Sequence, residues 1–307
     1  MPSMHIVFEQ ILVILLYVLI GFAAGKVGLI RPNQRKYLTR ICTDLIMPFT
    51  VLSAANQNVT QQEMLGYGGA TVLLLVFYAA MTEVCLWVQT LAHTPRPVRV
   101  TTASLVTYPN CTFLGLPLCR ALFGDIAILY NAVALLAFNT LFFTWQYSMF
   151  TSKRFNVRNL ITPPTVSTGI LILMLVLGIR FPAPVQTVVS NTGAMISPMS
   201  LIIVGVMMSE NELTAILKEQ RAYWITLIRN LAIPLLAAVI LQAAPMDAAS
   251  RLCMLVYLAC PCATLTTIYA IQNDMEPELA AHSVLMSTLC FAATLPLIVF
   301  VGTKLLA

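Results

Sequence analysis

The sequence predicts an all-α polytopic membrane protein in which ten transmembrane helices form two inverted five-helix repeats, with broken crossover helices at spans 4 and 9. Hydrophobic residues make up 59% of the 307 residues and charged residues 9%, whereas a soluble domain is about half apolar and a quarter charged. Ten segments approach the roughly 20 apolar residues that a membrane span needs. Two of them carry a central proline followed by polar residues, at matching places in the two halves.

The predicted spans follow one another along the chain with short connections. In order they are Phe8–Ala24, Leu38–Ala54, Gly66–Ala92, Ala103–Phe123, Ala127–Met149, Pro164–Ile179, Thr192–Met208, Tyr223–Gln242, Leu252–Ile271 and Leu279–Leu305. The first segment has no basic residues before it, so it is expected to be a retained span and not a cleaved signal peptide.

Several functional classes are excluded or disfavoured by what the connections lack. The longest charged connection, Glu210–Arg221, is too short for a nucleotide-binding domain, and no GxxxxGK[ST] loop occurs, which argues against ATP-driven pumping by this chain. No HExxH or GxSxG motif occurs either, so we expect no enzyme and no cofactor. The net charge of +5 is not expected to bind nucleic acid, because its distribution over the loops sets the orientation of the chain in the lipid bilayer.

The basic residues predict the orientation, because cytoplasmic loops carry an excess of Lys and Arg. Alternate connections hold Lys26, Arg31, Arg35, Lys36, Arg40, Arg96, Arg99, Lys153, Arg154, Arg158, Lys218 and Arg221. The opposite side holds only Arg120, Arg180, Arg251 and Lys304. We therefore expect a protein of the cytoplasmic (inner) membrane with both termini outside.

Proline spacing predicts an internal duplication. Pro48 and Pro198 lie 150 residues apart, and Pro109 and Pro261 lie 152 apart. The repeats would be residues 1–155 and 156–307. Five spans in each half is an odd number, so the second half would cross the membrane upside down, as in many secondary carriers.

The prolines at 109 and 261 predict a binding site at the bilayer midplane. Proline lacks an N–H and clashes with the carbonyl four residues back, which would free the carbonyls of Leu105 and Tyr257. Each proline is expected to start a new half-helix, whose N-terminus carries about half a positive charge. The two ends would form an anion site without a fixed cation, suited to a small carboxylate. Pro48, Pro198, Pro234 and Pro296 are interpreted as kinks.

The predicted substrate-binding residues surround these two breaks or face them from span 5. They are Pro109, Asn110, Cys111, Thr112, Gly115, Pro261, Cys262, Thr264, Thr266, Thr267 and Asn131. Asn139 is a further span 5 candidate, either for the site or for a bond between helices.

Three ionisable residues inside predicted spans are candidates for coupling or gating, since such residues are rare in membranes and usually functional. Asp44 would carry a coupling proton or gate the site, or else simply favour the helix dipole. Glu83 and Arg229 lie at similar depth in spans 3 and 8. They would form an ion pair, or Arg229 would meet a substrate carboxylate.

Two motifs resemble the auxin efflux carrier family. Tyr108-Pro-Asn-Cys-Thr-Phe-Leu-Gly-Leu-Pro through Asp125 is similar to that family's fourth helix. Pro261 followed by Glu276-Pro277-Glu278-Leu279-Ala280-Ala281 is similar to its ninth helix and the loop beyond. The short central connection resembles bacterial members. Tyr108 replaces the first Asn of the Asn-Pro-Asn start found in plant carriers, and Cys260 and Cys262 flank the second proline.

The resemblance implies transport of small organic anions, such as malonate and malate in bacteria or auxin in plants. It also implies a scaffold of spans 1, 2, 6 and 7 through which the protein forms a homodimer. Spans 3–5 and 8–10 would form a mobile unit that moves like an elevator. Apart from the resemblance, Asp44 makes H⁺ a candidate coupling ion.

Three alternatives remain open from the residues. A sodium-coupled organic anion symporter of the bile-acid carrier architecture would need oxygen ligands beside the breaks. A passive soft-metal carrier would use Cys260 and Cys262, because thiolates bind such metals. An intramembrane aspartyl protease would need Asp125 near Asp44, although the two are expected at opposite membrane faces.

Overall fold

The computed structural model describes residues 4–57, 61–152, 161–210, 213–244 and 246–306. Helices dominate these ranges, and the only β pairing within them is one isolated bridge. The predicted basic connection with Lys153, Arg154 and Arg158, which also holds the boundary between the predicted repeats, lies outside the described residues.

Seventeen α-helices run through the described ranges. They are α1 (Met4–Lys26), α2 (Pro32–Arg40), α3 (Met47–Leu52), α4 (Gln61–Leu91), α5 (Arg96–Thr107), α6 (Leu116–Phe123), α7 (Ile126–Leu141), α8 (Tyr147–Thr151), α9 (Pro163–Leu177), α10 (Ala183–Ala194), α11 (Ile196–Ser209), α12 (Leu213–Lys218), α13 (Gln220–Leu227), α14 (Ile233–Leu241), α15 (Ala248–Ala259), α16 (Thr264–Gln272) and α17 (Pro277–Leu305).

Seven helical stretches in the described part of the chain are long and apolar enough to span a membrane. They are His5–Lys26, Asn33–Asn56, Gly66–Leu91, Ile126–Thr151, Ala183–Ser209, Gln220–Leu241 and Pro277–Leu305. Predicted spans 4, 6 and 9 correspond instead to the shorter apolar helices Cys111–Phe123, Pro163–Leu177 and Ala248–Ala259. Spans 4 and 9 are short because each is divided by a break.

Three π-helical turns precede prolines, two of which, Pro48 and Pro234, were interpreted as kinks. Each turn ends two residues before its proline: Ile41–Ile46 before Pro48, Cys111–Gly115 before Pro117, and Ile228–Ala232 before Pro234. Proline cannot donate to the carbonyl four residues back, and a wider turn accommodates the missing bond. Pro296, by contrast, lies within α17, and Pro198 follows the junction between α10 and α11.

Buried side chains form two main clusters. The first draws mostly on α4–α7 and α13–α17. The second combines residues 42–55, α9 and α11 with residues 113–116 and part of α7. Helix α1 packs closely on α11 through glycines: a Cβ at Gly21 would lie 2.0 Å from the Ile202 carbonyl oxygen, and one at Gly205 would lie 2.0 Å from that of Val18. Larger residues at these two positions would force the helices apart.

Candidate functional site

The two predicted helix breaks meet in space. Helix α5 ends at Thr107 and α15 at Ala259, and the residues that follow are extended and form an antiparallel bridge between Pro109 and Cys262. The Asn110 N–H donates to the Pro261 carbonyl at 2.8 Å, and the Ala263 N–H donates to the Tyr108 carbonyl at 2.9 Å. We call residues 108–111 and 260–263 the crossover.

The second half-helices begin later than predicted. The π turn that leads into α6 starts at Cys111, and α16 starts at Thr264. Pro109 and Pro261 therefore do not start the half-helices, and that prediction was wrong. Both prolines lie in the extended linkers, where their missing N–H is not required and their neighbours pair across the crossover.

Asn110 caps one half-helix and binds the other. Its side-chain oxygen accepts a hydrogen bond from the Phe113 N–H at 3.3 Å, and its amide nitrogen donates to the Thr264 hydroxyl oxygen at 3.1 Å. An Asn before the first helical turn satisfies one of the free N–H groups there. One layer away, the Ser104 and Thr266 hydroxyls are 2.7 Å apart and hydrogen-bonded. The two breaks are thus fixed to each other by side chains as well as by backbone.

Arg229 is fully buried against the crossover, and its donors all point to backbone carbonyls. Its Nε donates to the Cys260 oxygen at 3.0 Å, and its Nη1 donates to Val106 and Thr107 at 3.0 and 3.2 Å. Its Nη2 donates to the Leu258 carbonyl. The crossing was expected to hold no fixed cation, and that part of the prediction was wrong, because the Arg229 guanidinium binds the carbonyls at the C-terminal ends of α5 and α15.

Glu83 does not pair with Arg229. Its side chain is exposed on α4, and it forms no ion pair with any described residue. The predicted ion pair was wrong because similar depth in a membrane does not fix the helix face. The Tyr257 carbonyl, which was predicted to be free, accepts a hydrogen bond from the Cys260 N–H at 3.2 Å. The carbonyls that Arg229 binds lie one to three residues further along the chain than Leu105 and Tyr257.

Tyr108 supports the crossover by packing. Its ring is fully buried and lies 5.6 Å from that of Tyr78, 5.2 Å from Phe138 and 5.1 Å from Phe142, measured between centroids. Gly115 is needed for a close approach nearby, since a Cβ there would lie 2.9 Å from the Tyr257 ring and 3.1 Å from Cys260 Sγ. Both residues therefore act on the shape of the crossover.

A cavity of about 220 Å³ opens beside the second half-helices. We call it the crossover cavity. It is lined by Thr43, Asp44, Met47, Pro109, Asn110, Cys111, Thr112, Phe113, Leu135, Phe138, Asn139, Phe143, Thr162, Pro164, Ala263, Thr264 and Leu265. Its wall therefore combines the N-terminal residues of both second half-helices, the π turn Ile41–Ile46 with the start of α3, α7 and the start of α9.

Five of the eleven predicted substrate-binding residues line this cavity: Pro109, Asn110, Cys111, Thr112 and Thr264. The other six are not among its lining residues. Cys262 forms the bridge with Pro109, and the Pro261 carbonyl accepts from the Asn110 N–H. Gly115 packs on Tyr257, and Thr266 bonds Ser104. Thr267 and Asn131 are buried. Neither the Thr267 hydroxyl nor either end of the Asn131 amide has a hydrogen-bond partner among the described residues.

Asp44 is the carboxylate in the cavity wall. It lies in a π turn, where its Oδ2 accepts from Arg40 Nε at 3.1 Å and its Oδ1 accepts from the Thr43 hydroxyl at 2.9 Å. Its side chain is 44% exposed. The carboxylate is therefore accessible from the cavity and close to a cation.

The sequence did not single out several residues of the wall. Asn139, which was left open, lines the cavity and donates from its amide to the Thr165 hydroxyl at 3.0 Å. Thr162 caps α9, with its hydroxyl accepting from the Thr165 N–H at 3.3 Å. The sequence Thr162-Pro163-Pro164 carries a recognisable helix-start signal. Phe138 and Phe143 carry none, because aromatic residues occur throughout these helices.

Cysteines surround the crossover, but within the described ranges no group of three or more His, Cys, Asp or Glu side chains could hold a metal ion. Cys111, Cys260 and Cys262 are free and buried. The Cys260 thiol lies 3.4 Å from the Val256 carbonyl oxygen, to which it donates, and the Cys262 N–H donates to the Ser287 hydroxyl at 3.1 Å.

Comparison with known proteins identifies the family. No curated protein sequence matches the chain. A family described as membrane transport protein matches it twice, over residues 6–158 and again over residues 150–299. Together the two matches cover nearly the whole chain. The chain belongs to the auxin efflux carrier family of membrane transport proteins.

Proposed function

We propose that this protein is a secondary transporter that moves a small organic anion, a mono- or dicarboxylate, across the cytoplasmic membrane. The observation that carries the proposal is the pairing of two broken helices beside a cavity lined by their N-terminal residues. Broken helices at a repeat interface are where secondary carriers bind their substrates. The substrate would be malonate-like, malate-like or auxin-like.

Electrostatics favour an anion in the crossover cavity. Cys111 and Thr112 begin one half-helix and Thr264 and Leu265 begin the other, and all four line the cavity. Each N-terminus carries about half a positive charge. Asn110 adds a side-chain amide between them. The remaining wall is largely apolar, which strengthens these interactions by lowering the local dielectric constant.

The proposed architecture is ten spans in two inverted repeats, residues 1–155 and 156–307. The double family match supports a duplication. The shortness of α15 and α16 is consistent with one broken span, as is that of α5 and α6. Lys and Arg asymmetry supports outward-facing termini.

An elevator movement would carry the crossover past a scaffold of spans 1, 2, 6 and 7. The first buried cluster supports the mobile unit, since it draws mostly on α4–α7 and α13–α17. The second cluster combines α3, α9 and α11 with residues of α7 and of the π turn before α6, where the proposed scaffold and mobile unit would meet. The crossover cavity lies between these groups of helices. The scaffold would also form a homodimer.

Proton coupling through Asp44 completes the proposal. Asp44 faces the cavity from the proposed scaffold, opposite the two half-helix N-termini. A carboxylate that releases its proton on one side of the membrane and binds one on the other would link anion movement to the pH gradient.

Uptake into proteoliposomes tests the proposal. Radiolabelled malonate, malate, lactate and indole-acetate would be offered with and without a pH gradient. We expect uptake of at least one carboxylate above protein-free liposomes, and a marked loss in Asn110→Ala. Asn273→Ala is the matched control, because Asn273 bonds only the Tyr269 carbonyl, away from the cavity. Uptake of amines without any carboxylate would contradict the proposal.

A further inference from the structure

We propose that Arg229 is the resident cation of the crossover: its guanidinium takes the place of a coupling sodium ion, so that anion binding and transport need no sodium. The proposal rests on the transport function above and specifies its ion dependence. It also separates this carrier from the sodium-coupled symporter that the sequence leaves open.

The position of the guanidinium is that of a cation site. Carriers with broken helices coordinate sodium through unwound backbone carbonyls and the C-terminal ends of half-helices. Here the carbonyls of Val106 and Thr107 end α5, and those of Leu258 and Cys260 end α15. All four accept hydrogen bonds from Arg229. The Arg229 side chain therefore occupies carbonyl oxygens of the kind that coordinate sodium in such carriers.

The charges balance around this side chain. Each helix C-terminus carries about half a negative charge, so the two that meet here sum to about one negative charge. Arg229 is fully buried, and the bonds it makes are to carbonyls and not to a carboxylate. One guanidinium therefore neutralises the C-terminal side of the crossover. The N-terminal side, which faces the cavity, keeps about one positive charge for the substrate.

Local structure holds the guanidinium in this position. Arg229 lies in the π turn Ile228–Ala232, and π turns occur often at functional sites. The adjacent Asn230 donates to the Ser287 carbonyl at 2.8 Å, and the Ser287 hydroxyl accepts from the Cys262 N–H at 3.1 Å. The π turn is thus joined to the crossover both directly and through α17. A mobile ion would provide no such permanent link.

The first test is a salt series on the wild-type protein. Melting temperature in detergent and initial uptake rate in proteoliposomes would be measured in sodium, potassium and choline chloride at equal ionic strength. We expect the same values in all three. A stabilisation or an uptake that is specific to sodium would overturn the proposal.

The second test replaces the side chain and supplies its missing part. Arg229→Ala removes a fragment equivalent to ethylguanidinium. We expect its melting temperature to fall by roughly 10 °C, as for a broken buried charge network, and its uptake to be lost. Millimolar ethylguanidinium chloride should restore both in part, whereas choline chloride should not. Arg251→Ala is the matched control, since Arg251 bonds the Ala244 carbonyl at 3.1 Å outside the crossover, and we expect no rescue there.

Comparison of Arg229→Lys with Arg229→Met separates charge from packing. Lys keeps the positive charge but presents one nitrogen where Arg presents a planar fork. We expect Arg229→Lys to retain slower, sodium-independent uptake and Arg229→Met to lose it. Equal uptake by the two variants would contradict the proposal. If the Ala and Met variants do not fold, the wild-type salt series still decides.

The outcomes also separate this inference from the proposed function. Sodium-independent melting with ethylguanidinium rescue, but no carboxylate uptake, would support the resident cation and contradict organic anion transport. Sodium-dependent carboxylate uptake would support organic anion transport and contradict the resident cation.

Discussion

Asn110 and Thr264 belong to different halves of the chain, yet the Asn110 amide donates to the Thr264 hydroxyl oxygen at 3.1 Å. The same Asn110 side chain caps its own half-helix through the Phe113 N–H. Both residues line the crossover cavity. This one side chain therefore couples the two half-helix N-termini and faces the space between them.

Substitution of Asn110 should impair transport, and it should do so most when the new side chain is negatively charged. Asn110→Ala loses a helix cap, which contributes about 1 kcal/mol, and a buried hydrogen bond, and we expect uptake to fall roughly tenfold. Asn110→Asp places a negative charge in an anion site, so we expect uptake to be abolished. Initial rates of carboxylate uptake measure both effects. Wild-type rates in Asn110→Asp would contradict an anion site at this position.

Substitution of Asp44 should separate coupling from binding. Asp44→Asn keeps the shape of the side chain but cannot release a proton near neutral pH. We expect pH-driven accumulation to be lost while exchange of internal for external substrate continues. The two modes are measured in the same proteoliposomes, with and without a pH gradient. An unchanged pH dependence of accumulation would remove Asp44 from the coupling mechanism.

Gly205→Ala should weaken the packing of α1 on α11. The new Cβ would lie 2.0 Å from the Val18 carbonyl oxygen, so one helix backbone must move. Overpacking of this kind costs about 1–3 kcal/mol, and we expect a clearly lower melting temperature. Gly169→Ala is the control: nothing lies within 4 Å of its Cβ, and Ala favours a helix over Gly. Equal loss in the two variants would contradict close packing at Gly205.

Acidification should loosen one ionic link at the N-terminal ends of two candidate spans, Gln220–Leu241 and Pro277–Leu305. Glu219 accepts from Arg221 Nε at 2.9 Å, and Arg221 Nη1 donates to Glu276 at 3.0 Å. The Arg221 hydrogen bonds lower the pKa of Glu219, against the opposing effect of burial. A lowered folded pKa means that the stabilisation is present above the unfolded pKa of about 4.3 and is lost as the pH falls through the folded value.

The pH dependence of this stabilisation can be measured by comparing the melting temperatures of the wild type and Glu219→Gln from neutral to acidic pH. The wild type should be more stable at neutral pH by less than about 1 kcal/mol, because the pair is near the surface, and the difference should vanish on acidification. Glu278→Gln is the control, since Glu278 forms no ion pair with a described residue. A difference that grows as the pH falls would contradict the assigned sign.

The breaks at Pro109 and Pro261 and their meeting in space could be predicted from the sequence, because a proline followed by polar residues is difficult to place in a continuous membrane helix. The starts of the half-helices could not. A proline fits the first helical turn and an extended linker equally well. The backbone bonds between Asn110 and Pro261 decide in favour of the linker, and they join residues from distant parts of the chain.

The hydrogen-bond partners of Arg229 could not be predicted from the sequence either. Glu83 and Arg229 are predicted at similar depth, but Glu83 is exposed on α4 while Arg229 is fully buried. The direction of a helix face depends on packing, and the π turn at Ile228–Ala232 shifts that direction locally. Asn131 and Asn139 show the same limit: both lie on α7, and only Asn139 lines the cavity.

An experimental structure solved in the presence of a transported carboxylate would test the central relationship most directly. We expect the carboxylate oxygens to lie within hydrogen-bond distance of Asn110, the N–H groups that begin at Cys111, and Thr264, with both helices interrupted. A carboxylate bound elsewhere, or continuous helical hydrogen bonding through residues 109 and 261, would contradict a substrate site at the crossover.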